Sequence, residues 1–190
     1  MNDLGLQAAS LNRQGDSIVT RKTLIIDLAT IDFNHVVADI EAIRRYNRQR
    51  FEMEQLTAVV HEDFVRNTCV GYKDLTAYEF WVRGHMPGMP LMPGVIMLEG
   101  AAQLCSYFTQ KSDLLGSPVV GFGGLEDVRF RDPVVPGNRL IFLCELVKVR
   151  RHRMIVSRFQ GVVGDALVVE GIIKGIPIPV ETLQRSAGPS

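Results

Sequence analysis

From Val95 to Phe108 the chain reads Val, Ile, Met, Leu, Glu, Gly, Ala, Ala, Gln, Leu, Cys, Ser, Tyr, Phe. A helix made from this run is apolar on nearly every face, so it is stable only when other elements wrap it. The rest of the chain must therefore supply a wrapper. Pro93 suits the first turn of such a helix, where a missing N–H is no loss. Gly94 lets another group approach the backbone closely. The one carboxylate in the run is Glu99. With Gln103, Ser106 and Gln110 it makes the only polar stripe, and residues spaced four, three and four apart share one helix face.

Strand signals stand on both sides of this helix. LTAVV, TCVGY and EFWV precede it as short runs rich in β-branched and aromatic residues. Longer candidates follow at 140–149, 154–163 and 166–175. Gly164-Asp165 is a two-residue hairpin signal between the last two, and the charged stretch 150–153 turns the other pair. One long helix flanked by antiparallel strands is an α+β arrangement. Upstream, Asn34 as a cap with Val36, Val37, Ile40 and Ile43 on one face predicts an amphipathic helix over 35–46. The expected organisation is an N-terminal extension over 1–49 carrying that short helix and partly disordered, a main domain over 50–183, and a disordered tail over 184–190.

Composition removes several function classes. Lysine plus arginine and aspartate plus glutamate number 21 each in 190 residues, so no net field draws the protein to nucleic acid or an anionic membrane. The basic run 148–153 has no interleaved aromatic residue and reads as a solvated hairpin tip, open to an acidic partner. No stretch reaches the ~18 apolar residues of a membrane span. The first residues lack the apolar core of a signal peptide, which points to the cytoplasm. Cys69, Cys105 and Cys144 are odd in number and form no CxxC pair, as expected of reduced, buried thiols rather than a disulfide framework or metal site. His61, Glu62 and Asp63 are adjacent on a strand, where neighbours point to opposite faces, so they make a poor metal site.

Two readings of Glu99 remain. It is a structural acid paired with an arginine such as Arg129, or it is a proton donor. Burial favours the neutral form of a carboxyl group, and a neutral acid beside an apolar pocket is how a general acid is prepared. Gln103, one turn on, is spaced to orient it. The first-turn amides of Gly94 and Val95 lie at the positive end of the helix dipole, a ready site for a developing oxyanion. His85 supplies a base, since neutral imidazole accepts a proton at physiological pH. Pro87, Pro90 and Pro93 stiffen the intervening loop, while Gly88 and Gly94 permit tight turns. Base, acid and oxyanion donors around one apolar cavity suit proton abstraction beside a carbonyl with loss of a neighbouring hydroxyl. That reaction is a dehydration.

The segment HMPGMPLMPGVIMLE resembles the signature H-F-P-G-x-P-x-x-P-G-V-x-x-x-E of the 3-hydroxyacyl-[acyl-carrier-protein] dehydratases, with histidine and glutamate fourteen apart as His85 and Glu99 are. GFGGLEDVRFRDPVVPGNRL at 121–140 is similar to a second block of that family. The resemblance covers roughly 50–175. It implies a hot-dog fold, in which an antiparallel sheet wraps the central helix, and a homodimer, or a hexamer built as a trimer of dimers. It further implies an active site at the dimer interface, with histidine from one chain and acid from the other. The eight residues between His85 and Gly94 reach up to ~28 Å when extended, so pairing within one chain stays open.

By the same resemblance the substrate is a 3-hydroxyacyl thioester on acyl carrier protein, and neither metal nor redox cofactor is required. Met89, Met97, Gly121 and Phe122 are candidates to line the acyl tunnel, Gly121 standing where many members carry a gating aromatic. Three departures mark this chain. NRQRFEMEQL replaces the usual P-H-R-x-P-F-L-L-V-D, Met86 replaces phenylalanine, and Gly100 replaces the commoner alanine. The rival functions are a hot-dog thioesterase and a non-catalytic acyl-binding subunit.

Overall fold

A computed structural model describes residues 23–179. Two helices and six strands follow in the order α1 (Ile40–Arg44), β1 (Ala58–Asp63), β2 (Thr68–Asp74), α2 (Gly94–Lys111), β3 (Val120–Phe130), β4 (Arg139–Arg150), β5 (Met154–Val163) and β6 (Ala166–Pro177). The strands make one antiparallel sheet in the order β1-β2-β4-β5-β6-β3. The sheet holds α2 against one face, the hot-dog architecture. Leu104, Tyr107 and Phe108 of α2 are fully buried with Val59, Cys69, Leu140, Phe142 and Phe159 of the sheet. The wrapping is not complete. Val95, Glu99, Ala102, Ser106 and Gln110 lie along a face that stays partly open.

The hairpin read at Gly164-Asp165 joins β5 to β6, with Gly164 at φ +57°. The basic stretch turns β4 into β5. EFWV is not a strand. Residues 80–84 form successive turns in which the Val82 and Gly84 amides bond the Glu79 and Trp81 carbonyls. Its aromatic content is spent on anchoring, since Trp81 is buried in the core. Conversely β3 escaped the strand pattern because three glycines and three charged residues interrupt it. It is an edge strand bulged at Phe122/Gly124 and at Glu126/Arg129, with Gly124 at φ +153° and Asp127 at φ +52°. Edges and bulges are where such residues are tolerated.

The predicted helix over 35–46 shortens to α1. Its cap is Asp39 rather than Asn34, the carboxylate accepting from the Ala42 amide at 2.9 Å. Residues 37–38 are drawn into extended pairing instead, with the amides of both bonding the Val59 carbonyl. The extension also covers the sheet face turned away from α2. There Ala58, Val60, Val70, Tyr72, Ile141, Leu143 and Val162 form a second apolar cluster, and Leu24, Ile25, Ile26, Leu28, Ile31 and Phe33 pack on it. Gln160 of β5 pins the strap, accepting from the Ile25 amide at 2.7 Å and donating to the Thr23 carbonyl at 3.4 Å. The loose ends expected over the first ~20 residues and over 184–190 lie outside the described residues.

The three thiols are free and buried. Cys69 and Cys144 are cross-strand partners, and the Cys144 sulfur lies 3.2 Å from that of Cys105 on α2. The hydrogen bond with Cys105 and burial both push the Cys144 thiol up, and burial pushes Cys69 up. Glu62 and Asp63 diverge as strand geometry requires. Glu62 turns inward to accept from the Tyr107 hydroxyl and the Lys111 ammonium, while Asp63 caps the turn at Val65 and Arg66. Burial, then the Glu62 contact, drives the Tyr107 phenol far above its usual range. Among the described residues no cluster of His, Cys, Asp and Glu could hold a metal ion. No described helix is long and apolar enough to cross a membrane.

Candidate active site

His85 ends the turn segment anchored by Trp81. Its amide donates to the Trp81 carbonyl and its carbonyl accepts from the Leu91 amide, both at 2.8 Å, so the backbone is held on both sides. The ring Nδ1 lies 2.8 Å from the Leu91 carbonyl oxygen. A carbonyl only accepts, so Nδ1 carries the proton. In the neutral ring Nε2 is then the nitrogen without a proton, a lone pair available as a base. The hollow bordering this ring has a volume of about 550 Å³ and an apolar wall that includes Leu91, Met92, Met97, Leu98 and Phe130. Gly94 and Val95 border the same hollow. Among the described residues their amides donate to no other group, because the helix bonds begin at Ile96. Gly94 is needed there for a spatial reason. A Cβ at this position would lie 2.7 Å from the Phe130 ring.

Glu99 is half-buried and its partners are amides, not the Arg129 guanidinium. Gln103 Nε2 donates to Glu99 Oε1 at 2.7 Å and to the Met53 carbonyl at 2.6 Å, and Gln103 Oε1 accepts from the Gln55 amide at 2.8 Å. These partners fix which end of the Gln103 amide is nitrogen, since only the oxygen can face an N–H. A further donor comes from outside the signature, Gln49 Nε2, at 3.2 Å from the same Oε1. The divergent stretch NRQRFEMEQL thus surrounds the acid, for Asn47 also donates to the Gln103 backbone carbonyl at 2.9 Å. Motif reading passed over Gln49 because nothing in its spacing ties it to Glu99. Arg129 lies elsewhere, in a polar hollow with Asp127, Arg158 and Glu170.

Glu99 and Gln49 border a cleft of about 150 Å³ walled by Ala102, Cys105, Ile155 and Ile173, with Gly121 and Phe122 at its rim. Of the residues singled out in sequence, the structure gathers His85, Gly94, Val95 and Met97 in one hollow and Glu99, Gly121 and Phe122 in another. The two share no wall residue. Met89 is 68% exposed and borders neither. Gly121 borders the cleft through its backbone. An added Cβ would meet Ile178 at 2.3 Å, so its missing side chain is replaced by Ile178 rather than by open tunnel.

Residues 47–172 match the family model described as a FabA-like domain. The 3-hydroxyacyl-[acyl-carrier-protein] dehydratase FabZ of Desulfotalea psychrophila is 44% identical over 103 residues, 53% of this chain and 68% of the relative. The protein of the same name from Rhizobium rhizogenes is 37% identical over 105 residues, 55% of this chain and 66% of the relative. The chain therefore matches about two thirds of the length of each. Among solved structures, the dehydratase heterocomplex ApeI:P of Xenorhabdus doucetiae superposes with a TM-score of 0.62 at 15% identity, covering 76% of this chain and 97% of that one. An uncharacterised protein from Pyrococcus horikoshii superposes at 0.54 and 14% identity, over 70% of this chain and 91% of its own. At such identities the structural likeness speaks to fold alone. The family model spans most of the chain and both signature residues fall within it: the chain belongs to the FabA-like family.

Proposed function

We propose that this chain dehydrates (R)-3-hydroxyacyl thioesters carried on acyl carrier protein to trans-2-enoyl thioesters, in the cytoplasm and as at least a homodimer. The observation that carries the reading is the His85 ring, with its tautomer set by Leu91, sharing an apolar hollow with the two unpaired amides of Gly94 and Val95. The Gly94 and Val95 N–H groups hold the thioester oxygen, and negative charge gathers there as His85 Nε2 removes the C2 proton. Glu99 gives its proton to the C3 hydroxyl, the C3–O bond breaks, and water leaves. The names of the curated relatives favour elimination over thioester hydrolysis.

The dimer is supported by β3. One edge of this strand has no partner among the described residues. Its exposed Phe122 borders the Glu99 cleft and its exposed Phe130 borders the His85 hollow. These two rings stand eight residue steps apart along the strand, up to roughly 26 Å at about 3.3 Å per step. We place the two-fold axis beside Glu126, midway between them, so that antiparallel pairing of two β3 edges sets Phe122 of one copy opposite the partner's Phe130 and joins a base hollow to an acid cleft.

The test is complementation. Purified protein should convert carrier-bound 3-hydroxyacyl substrate to the enoyl product, seen by mass spectrometry as loss of water. His85→Ala and Glu99→Gln should each be nearly inactive. Unfolded together and refolded, they should recover about a quarter of wild-type activity, since half the dimers are mixed and each has one intact site. No product from the wild type refutes the reaction. Product without complementation refutes the shared site.

A further inference from the structure

We infer that Gln49 is a positioning residue for the proton donor, and that its amide and that of Gln103 together assign the two oxygens of Glu99 to different tasks. This rests on the dehydratase reading. Both amide nitrogens point at Oε1, at 3.2 and 2.7 Å. Neither N–H can accept a proton, so Oε1 is the oxygen that receives hydrogen bonds. Oε2 has no such donor among the described residues and is the oxygen that carries the acid proton. In the reaction the Oε2–H bond breaks, its proton joins the C3 hydroxyl oxygen, and the C3–O electron pair departs with the water. The charge left on Glu99 is then met at Oε1 by two donors already in place, which costs no reorganisation as it develops.

Gln49 is held for this task by its own neighbour. The Arg50 guanidinium donates to the backbone carbonyls of Asn47, Gln49 and Arg44 at 3.0, 2.6 and 3.2 Å. That clamp closes the loop between α1 and β1 and aims the Gln49 side chain back at α2. Gln103 is fully used by three partners of its own, so it cannot take over both donations if Gln49 is lost.

The experiment separates acid assistance from general structural support by changing the leaving group. Gln49→Met keeps the length of the side chain and removes the amide. It is compared with wild type on a 3-hydroxyacyl thioester, whose hydroxyl needs a proton to leave, and on the matching 3-chloroacyl thioester, whose chloride does not. Loss of water should slow about tenfold with KM within twofold, as for one lost hydrogen bond to a charged group. Loss of chloride should stay within twofold of wild type. Equal slowing on both substrates, or no slowing on either, overturns the inference while leaving the dehydratase reading intact. A wild type inert to both overturns the dehydratase reading and this inference with it. If Gln49→Met loses the cooperative melting of the wild type, Gln49→Ala takes its place under the same criteria.

Discussion

Gly100→Ala converts the position after Glu99 to the residue more usual in similar sequences, and in this chain it should be destabilising. The ideal Cβ would lie 2.4 Å from Phe142 Cζ, 2.8 Å from its Cε2 and 3.3 Å from the Gln55 carbonyl oxygen. Carbon atoms in contact prefer about 3.5–4.0 Å, so the overlap exceeds ~1 Å. Phe142 cannot easily retreat. It is fully buried in mid-β4, paired with Gly71 on one side and Gly161 on the other. Overpacking of this kind costs about 1–3 kcal/mol, and so large an overlap belongs in the upper half. Against it stands the helix propensity gained by replacing glycine with alanine, about 1 kcal/mol. The net loss is about 1–2 kcal/mol, a fall in Tm of about 2–8 °C for a domain of this size. Activity should fall too, since any shift of α2 at Gly100 moves the neighbouring Glu99. Thermal melts of Gly100→Ala, Phe142→Leu and the double variant provide the assay. In the Phe142→Leu background the alanine should become neutral or favourable, giving a positive coupling. A Tm that rises in the wild-type background, or zero coupling, would refute the steric argument.

Three further outcomes are expected. His85→Ala and Glu99→Gln should each lower kcat by about 10²–10⁴, and the double variant should be little worse than either; additive losses in steady-state rates would mean that they do not act on one step. Phe122→Ala, at the rim of the Glu99 cleft, should raise the long-to-short ratio of kcat/KM by about tenfold, and an unchanged ratio across an acyl series removes Phe122 from the acyl path. The third concerns pH. Hydrogen bonds from Arg44 hold the Glu54 carboxyl below the usual carboxylate range. A depressed folded pKa contributes stability that is present above the unfolded pKa and is lost as pH falls through the folded value. Glu54→Gln should therefore lower Tm at neutral pH, with the gap to wild type closing only in acid below the ordinary carboxylate range. A gap that already closes above that range, or that persists unchanged in stronger acid, would contradict this.

Local pattern and motif carried the central helix, the Gly164-Asp165 hairpin, the basic turn, the β2, β4, β5 and β6 strands and the candidate chemistry of His85 and Glu99. These features are legible because each depends on residues close in sequence, through periodicity, turn preference or fixed spacing. The same logic misread EFWV, whose aromatic content reflects one buried tryptophan rather than a ladder. It passed over β3, whose glycines and charges are admissible only at a bulged edge. It also placed a helix over residues 37–38, which Val59 instead draws into pairing from across the fold. The strap of Leu24 to Phe33 had no visible task because the apolar face it covers is assembled from four different strands. Gln49 was silent for the same reason, standing fifty residues from the carboxylate it meets. The division of His85 and Glu99 between separate hollows is likewise a tertiary fact. Fourteen residues of spacing bound how far apart two side chains can lie, but the packing of α2 against a twisted sheet decides which way each one faces.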